Sequence, residues 1–171
     1  MARQLWLLRH AEAERLGAGA HGASQDSERR LTEHGQLQAR AAGIALDRLG
    51  ADFEAVLFSP KARARETAQL AAEGWTAQQR GRLAMHAPLA GGFDGAQALE
   101  AMAGAGAHGQ LLLVGHEPDL SRVIGELTGG RADVKKGGLA VLRLEAVGAE
   151  LLVLMRSREL ALIAEMTVRG V

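Results

Sequence analysis

The sequence predicts a three-layer α/β/α fold, in which a mostly parallel central sheet carries an antiparallel edge. Short apolar runs alternate with longer segments of helical periodicity along most of the chain, which is the pattern of parallel strands joined by crossover helices. Near the C-terminus, the apolar runs 139–144 and 151–155 are joined by a turn containing Gly148, as in an antiparallel hairpin. The length of 171 residues fits one domain over 1–171.

Local signals place the other elements in order. Thr32 is a good N-cap and Gly50 a good stop for the first long helix, while Ser59 followed by Pro60 is typical of a helix start. The remaining predicted elements are a strand over 3–9, a loop over 11–31, a helix over 33–49, a strand over 55–58, a helix from Ser59 to about Ala72, a strand over 83–86, a loop over 88–95, a helix over 96–103, a strand over 110–114, a helix over 119–128 and a helical tail from 158.

Composition excludes several kinds of chemistry and binding. The chain has no Cys, which rules out disulfides, thiolate metal sites and cysteine nucleophiles. Its 20 basic and 20 acidic side chains cancel, and it has 3% aromatic residues and no Tyr, which argues against a nucleic-acid partner. No apolar run approaches the roughly 18 residues of a membrane span, and the N-terminus resembles no signal peptide. We therefore expect a cytoplasmic protein with no membrane partner.

Three predicted strands end near side chains that suit phosphoryl chemistry. Arg9 and His10 end the first strand, Arg63 lies one helical turn beyond the second, and His116 follows the strand over 110–114. If these strands are parallel neighbours, the four side chains converge on one cleft. Two guanidiniums can hold a phosphoryl group, and a neutral imidazole is a competent nucleophile. Nearby arginine charge disfavours the imidazolium, so we expect His10 to be neutral.

Segments at these positions resemble the motifs of the histidine phosphatase superfamily, whose fold is phosphoglycerate mutase-like. Residues 8–13 (Leu-Arg-His-Ala-Glu-Ala) resemble its Arg-His-Gly signature, residues 59–68 its Ser followed by Arg-Ala-x-x-Thr-Ala, and residues 113–118 its third motif. The short length, the segment 29–35 and the Lys-Gly-Gly of 136–138 resemble the small SixA-type phosphohistidine phosphatase branch. The resemblance covers nearly the whole chain, in the order of the family.

The resemblance implies a role for each matched residue. His10 matches the nucleophile that becomes phosphohistidine, and His116 matches the second histidine of the phosphate pocket. Arg9 and Arg63 match the phosphate-binding arginines. Arg29 matches a further arginine near the pocket in the small branch, and on spacing alone Arg30 fits almost as well. The resemblance implies neither a cofactor nor a metal ion.

The chain departs from the family pattern at two places. Ala11 stands where Gly is usual, which a negative φ would tolerate. Larger members supply a carboxylic acid after the third strand, but Asp94 is the only acid in residues 86–94. Asp94 is thus the candidate proton donor, with a helix cap as the competing interpretation. A pocket without a strong acid favours phosphoramidates such as phosphohistidine, or other activated substrates, because imidazole leaves more readily than an alkoxide.

Other polar residues near the motifs receive no role in the reaction from the sequence. Lys61 and Arg65 are predicted to lie on a solvated helix face, and Glu12 and Glu117 in solvated loops. The remaining histidines show no metal-ligand spacing; they are His21, His34, His86 and His108.

These features predict a metal-independent phosphatase that forms a covalent phosphohistidine and acts on phosphohistidine of a signalling protein. The short chain lacks the cap insertions that enclose small substrates in larger relatives, so an open pocket suits a side chain on a protein surface. The alternatives are a small-molecule phosphomonoesterase of the same superfamily and a module that binds phosphoryl ligands with little turnover. We expect a monomer whose partner is a phosphorylated protein or a small phosphorylated metabolite.

Overall fold

A six-stranded sheet forms the centre of the computed structural model, which describes residues 3–17, 22–106 and 109–168. The strands are β1 (Gln4–Arg9), β2 (Ala55–Phe58), β3 (Leu83–Met85), β4 (Gln110–Gly115), β5 (Leu139–Leu144) and β6 (Ala149–Met155). The α-helices are α1 (Ala23–Glu28), α2 (Glu33–Arg48), α3 (Ala62–Ala71), α4 (Ala77–Arg80), α5 (Gly95–Gly104), α6 (Asp119–Thr128) and α7 (Ser157–Ile163). Two 3₁₀ turns cover Ala72–Gly74 and Ala87–Ala90.

The strand order is β3-β2-β4-β1-β5-β6. The first four of these strands pair in parallel, while β5 runs antiparallel to β1, and β6 runs antiparallel to β5. The prediction of a mostly parallel sheet with an antiparallel edge is therefore confirmed. None of the described helices is long and apolar enough to cross a membrane.

Helices cover both faces of the sheet, because β1 and β4 send apolar side chains alternately to each side. Trp6 and Leu8 pack on one face with residues of α2, α3 and α7, while Leu5 and Leu7 pack on the other with residues of α5 and α6. The predicted three-layer α/β/α architecture is confirmed, and the carboxyl ends of its parallel strands share one edge.

The structure corrects the predictions at two places near that edge. The predicted loop over 11–31 contains α1, which buries none of its six residues and so leaves no periodic apolar signal in the sequence. The helix after β2 begins at Ala62, not at Ser59. The N-cap of that helix is Lys61, and Ser59 still continues β2, since its backbone N–H donates to Val114 O at 3.0 Å.

Candidate active site

Three adjacent parallel strands end at the same level of the sheet. Arg9 at the end of β1 pairs with Gly115 at the end of β4, and the next residue, His10, donates its backbone N–H to Gly115 O at 3.0 Å. Phe58 at the end of β2 pairs with Val114. The strands are thus parallel neighbours, as the convergence of the motifs requires, and the rings of His10 and His116 lie with centroids 5.2 Å apart.

His10 is a buried imidazole whose tautomer is set by the backbone. His10 is 6% exposed, and its Nδ1 lies 2.7 Å from Ala11 O. A carbonyl only accepts, so Nδ1 carries the proton and Nε2 keeps its lone pair. Burial lowers the pKa of His10 to about 4, and the charges of Arg63, Arg9 and Arg29 act in the same direction. The ring is therefore neutral near pH 7, mainly because of burial rather than arginine charge.

The backbone around His10 is held by a residue of the second motif. Ala11 N–H donates to Thr67 Oγ1 at 3.0 Å, and the Thr67 hydroxyl donates to Arg63 O at 2.7 Å. Among the described residues, Glu165 is the only non-glycine with positive φ, so Ala11 has the negative φ that tolerates its Cβ. Gly35 of α2 approaches the same loop so closely that a Cβ there would lie 1.9 Å from Glu12 O.

His116 is oriented by Ser59, whose Oγ lies 2.7 Å from His116 Nε2. Ser59 Oγ also accepts from Lys61 N–H at 3.3 Å, so its own proton is available for Nε2. In that arrangement the His116 proton sits on Nδ1, a buried atom with no partner among the described residues. Burial lowers the pKa of His116 to about 3, with His10, Arg63 and Lys61 acting in the same direction.

Both predicted phosphate-binding arginines form hydrogen bonds through their terminal nitrogens. Arg9 Nη1 donates to Val134 O at 2.9 Å, and the terminal nitrogens of Arg63, which is 5% exposed, donate to Asp26. Burial lowers the pKa of the Arg9 guanidinium, while Glu117 and Asp133 act to raise it. In each arginine, Nε is buried and unpartnered within the described part of the chain.

The pocket thus holds three orphaned donors beside a free imidazole lone pair. The donors are Nε of Arg9, Nε of Arg63 and, in the tautomer above, Nδ1 of His116. Leaving a buried donor unsatisfied costs about 1–3 kcal/mol, so such groups call for a partner that binds there. A phosphoryl group in in-line displacement has three equatorial oxygens, which matches the number of free donors.

The structure shows which of Arg29 and Arg30 lies nearer the pocket, a choice that spacing alone left open. Arg29 donates from Nε to Glu14 O at 2.6 Å and from Nη1 to Asp26 at 3.1 Å, and its charge reaches His10. The Arg30 side chain is 73% exposed and pairs with Glu66 away from this cluster. Arg29 is therefore the arginine on the pocket side.

Asp94 is engaged as the cap of α5. Its carboxylate accepts from Gln97 N–H at 2.9 Å, and the Gln97 side chain accepts from Asp94 N–H at 3.1 Å. No hydrogen bond within residues 3–17, 22–106 and 109–168 joins Asp94 to the histidines or arginines of the pocket. Its use as a proton donor stays a prediction, while the competing interpretation as a helix cap describes its contacts.

The sequence missed two participants in the pocket. Lys61 was predicted to be solvated, but its Nζ donates to Asp26 Oδ2 at 3.1 Å and its charge acts on His116. Asp26 carried no signal, because it lies outside the three motifs. Arg65 is exposed, as predicted.

Glu117 was predicted to lie in a solvated loop, but the structure partly buries it. Glu117 is half-buried, accepts from Ser121 N–H at 3.3 Å and leaves Oε1 buried without a partner in the described chain. His21 and His108 lie outside the described residues. Within the described ranges, no group of three acidic or histidine side chains is placed to hold a metal ion.

Comparison with known proteins identifies the family of this site. The family model described as "Histidine phosphatase superfamily (branch 1)" matches residues 5–85. An uncharacterized protein of Picosynechococcus sp. is 33% identical over 148 residues, which span 82% of this chain and 84% of that protein.

Solved structures share the fold along nearly the whole chain. The protein histidine phosphatase SixA in complex with tungstate superposes with a TM-score of 0.74 at 23% identity, covering 92% of this chain and 99% of that one. A protein from Nakamurella multipartitia, provisionally described as the phosphohistidine phosphatase SixA, gives a TM-score of 0.69 at 27% identity over 91% and 96% of the two chains. With its matching motifs, fold and sequence relatives, the chain belongs to the histidine phosphatase superfamily and is a phosphatase.

Proposed function

We propose that this protein is a metal-independent phosphohistidine phosphatase of the SixA type, in which His10 carries the phosphoryl group. One observation carries the proposal: a buried, neutral His10 has its Nδ1 bound to Ala11 O and lies beside three orphaned donors. This arrangement supplies a nucleophile and a cradle for charge without further reorganisation.

The reaction proceeds in two displacements at phosphorus. In the first, the lone pair of His10 Nε2 forms a P–N bond while the P–N bond of the substrate breaks and its electron pair stays on the substrate nitrogen. The other nitrogen of that ring takes up a proton from solvent, so the substrate leaves as neutral imidazole. In the second, water forms a P–O bond, the bond to Nε2 breaks, and its electron pair returns to His10 as phosphate and a proton are released. Arg9, Arg63 and His116 stabilise the equatorial oxygens in both steps.

The missing acid favours phosphohistidine over an alkyl phosphomonoester. Asp94 is bound in the capping box of α5, and the two pocket imidazoles have lowered pKa values, so none of these groups is a strong proton donor near pH 7. An alkoxide needs such a donor to leave, whereas an imidazole does not. The superposed SixA proteins, one solved with the oxyanion tungstate, support the same choice.

Phosphate release from a phosphohistidine peptide tests the proposal. The wild-type protein should release phosphate from this peptide far faster than from an alkyl phosphate, and His10→Asn should abolish release. His86→Asn, which changes a histidine whose ring packs on Phe93, is the matched control and should retain activity. Peptide binding without release would favour a binding module, and a preference for the alkyl phosphate would favour a phosphomonoesterase; either result contradicts the proposal.

A further inference from the structure

The carboxylate of Asp26 joins three cations at the edge of the pocket. Its Oδ2 accepts from Lys61 Nζ and from Arg63 Nη2, each at 3.1 Å, and its Oδ1 accepts from Arg29 Nη1 at 3.1 Å. Arg63 Nη1 also donates to the Asp26 backbone carbonyl at 2.6 Å. One residue of α1 is therefore the common partner of three basic side chains that come from two separate parts of the chain.

These contacts use one edge of the Arg63 guanidinium and leave the other edge free. Asp26 takes the edge formed by the two terminal nitrogens, whereas the edge that contains Nε has no partner on Nε among the described residues. A guanidinium is a rigid planar fork, so holding one edge fixes the direction of the other. A phosphoryl oxygen can then bind Nε without displacing Asp26.

The attachment of α1 to the body of the protein is polar. The helix buries none of its residues, so apolar packing contributes little to its position. Burial alone would raise the pKa of the Asp26 carboxyl, but hydrogen bonds from Arg29, Lys61 and Arg63 outweigh burial and hold that pKa well below its usual range. The carboxylate is thus charged near pH 7.

We propose that Asp26 is a positioning residue, which holds Arg63 with its Nε edge toward the phosphoryl group and gathers Arg29 and Lys61 at the rim. The inference rests on the proposed function, because it assigns Arg63 to the phosphoryl group. Charge alone predicts the opposite effect, since a carboxylate beside the pocket repels an anion. The sign of the change when the carboxylate is removed therefore separates positioning from simple repulsion.

Tungstate binding measured by calorimetry on Asp26→Asn provides the test. Hydrogen bonds to charged groups contribute about 1.5–3 kcal/mol, so loss of orientation should weaken tungstate binding roughly 10- to 100-fold. Asp52→Asn is the matched control, because Asp52 also pairs with an arginine. Its side chain is 78% exposed, and the residue precedes β2 at the opposite edge of the sheet. The control should bind tungstate as the wild type does.

Two further variants make the result specific. Asp26→Ser should weaken binding as Asp26→Asn does, with thermal unfolding showing that both remain folded. In an Arg63→Lys background, Asp26→Asn should have an effect of less than about threefold, because a lysine has no second edge to orient. Unchanged or tighter tungstate binding by both Asp26 variants, or an equal loss in the Arg63→Lys background, overturns the inference alone. Failure of the wild type to bind tungstate contradicts the proposed function itself.

Discussion

Lowering the pH tests the ionisation of the buried nucleophile. At pH 5.5 an imidazole with the ordinary pKa of about 6.5 is about 9% neutral, whereas His10, with a pKa of about 4, is about 97% neutral. We therefore expect kcat/KM for a phosphohistidine peptide to change less than about twofold between pH 7.5 and 5.5, where an ordinary imidazole would lose about tenfold.

The assay combines rates with a direct titration of the rings. Rates are measured against enzyme-free blanks, because the substrate itself is acid-labile, and ¹³C NMR of labelled histidine follows each imidazole. His10→Gln and His116→Gln assign the two signals, which should titrate with pKa values of about 4 for His10 and about 3 for His116. A ring signal that titrates near pH 6.5 and is missing from His10→Gln would contradict the lowered pKa that burial gives His10.

The same shift makes the stability of the fold depend on pH. The unfolded chain binds a proton on His10 near pH 6.5, but the folded chain does so only near pH 4, so the unfolded state holds more protons between these values. The contribution of His10 to the free energy of unfolding is therefore fully present above pH 6.5. It falls as the pH drops toward 4, by up to about 1.4 kcal/mol per pH unit. His10→Gln should make the decline of the unfolding free energy less steep in this range.

Three further substitutions test two contacts of the pocket and the role of Asp94. Ser59→Ala removes the partner of His116 Nε2 and should lower kcat about 10- to 100-fold with a smaller change in thermal stability, whereas an unchanged kcat would remove Ser59 from the account. Thr67→Val leaves the buried Ala11 N–H unpaired and should cost about 1–3 kcal/mol of unfolding free energy; Thr128→Val, at the end of α6, is its control. Asp94→Ala should cost about 1 kcal/mol through the lost cap of α5 and leave the pH–rate profile unchanged, and the loss of a basic limb would instead assign proton donation to Asp94.

The sequence was sufficient to predict the elements that carry an apolar run or an apolar helical period. The runs before His10 and His116 are apolar and buried almost without interruption, because helices cover both faces of β1 and β4, and short continuous runs of this kind are typical of central strands. The helices between β1, β2 and β4 predicted a mostly parallel sheet, whereas the sequence left the adjacency of these three strands as a condition that the strand order meets. Because the carboxyl ends of adjacent parallel strands share an edge, the sequence predicted that the four site residues lie together under that condition.

The contacts around Asp26 were not predictable in the same way. Its helix α1 buries no side chain, so its position depends on ion pairs between residues far apart in the sequence, which leave no local pattern. Ser59 shows a related limit: Ser followed by Pro is typical of a helix start, but here the hydroxyl bonds His116 and the helix begins later. A serine hydroxyl at this position can either cap the helix or bond a side chain from another strand, and only the tertiary structure shows which of the two occurs.

The most direct test of the account is to trap the phosphoenzyme on His10. Rapid quenching in alkali after mixing with a ³²P-labelled phosphohistidine peptide should give base-stable, acid-labile label on the protein, and peptide mapping should place it on His10. His10→Ala should carry no label, while His86→Asn should label as the wild type does. Label that persists in His10→Ala, or steady release of phosphate by that variant, would contradict the assignment of His10 as the covalent carrier.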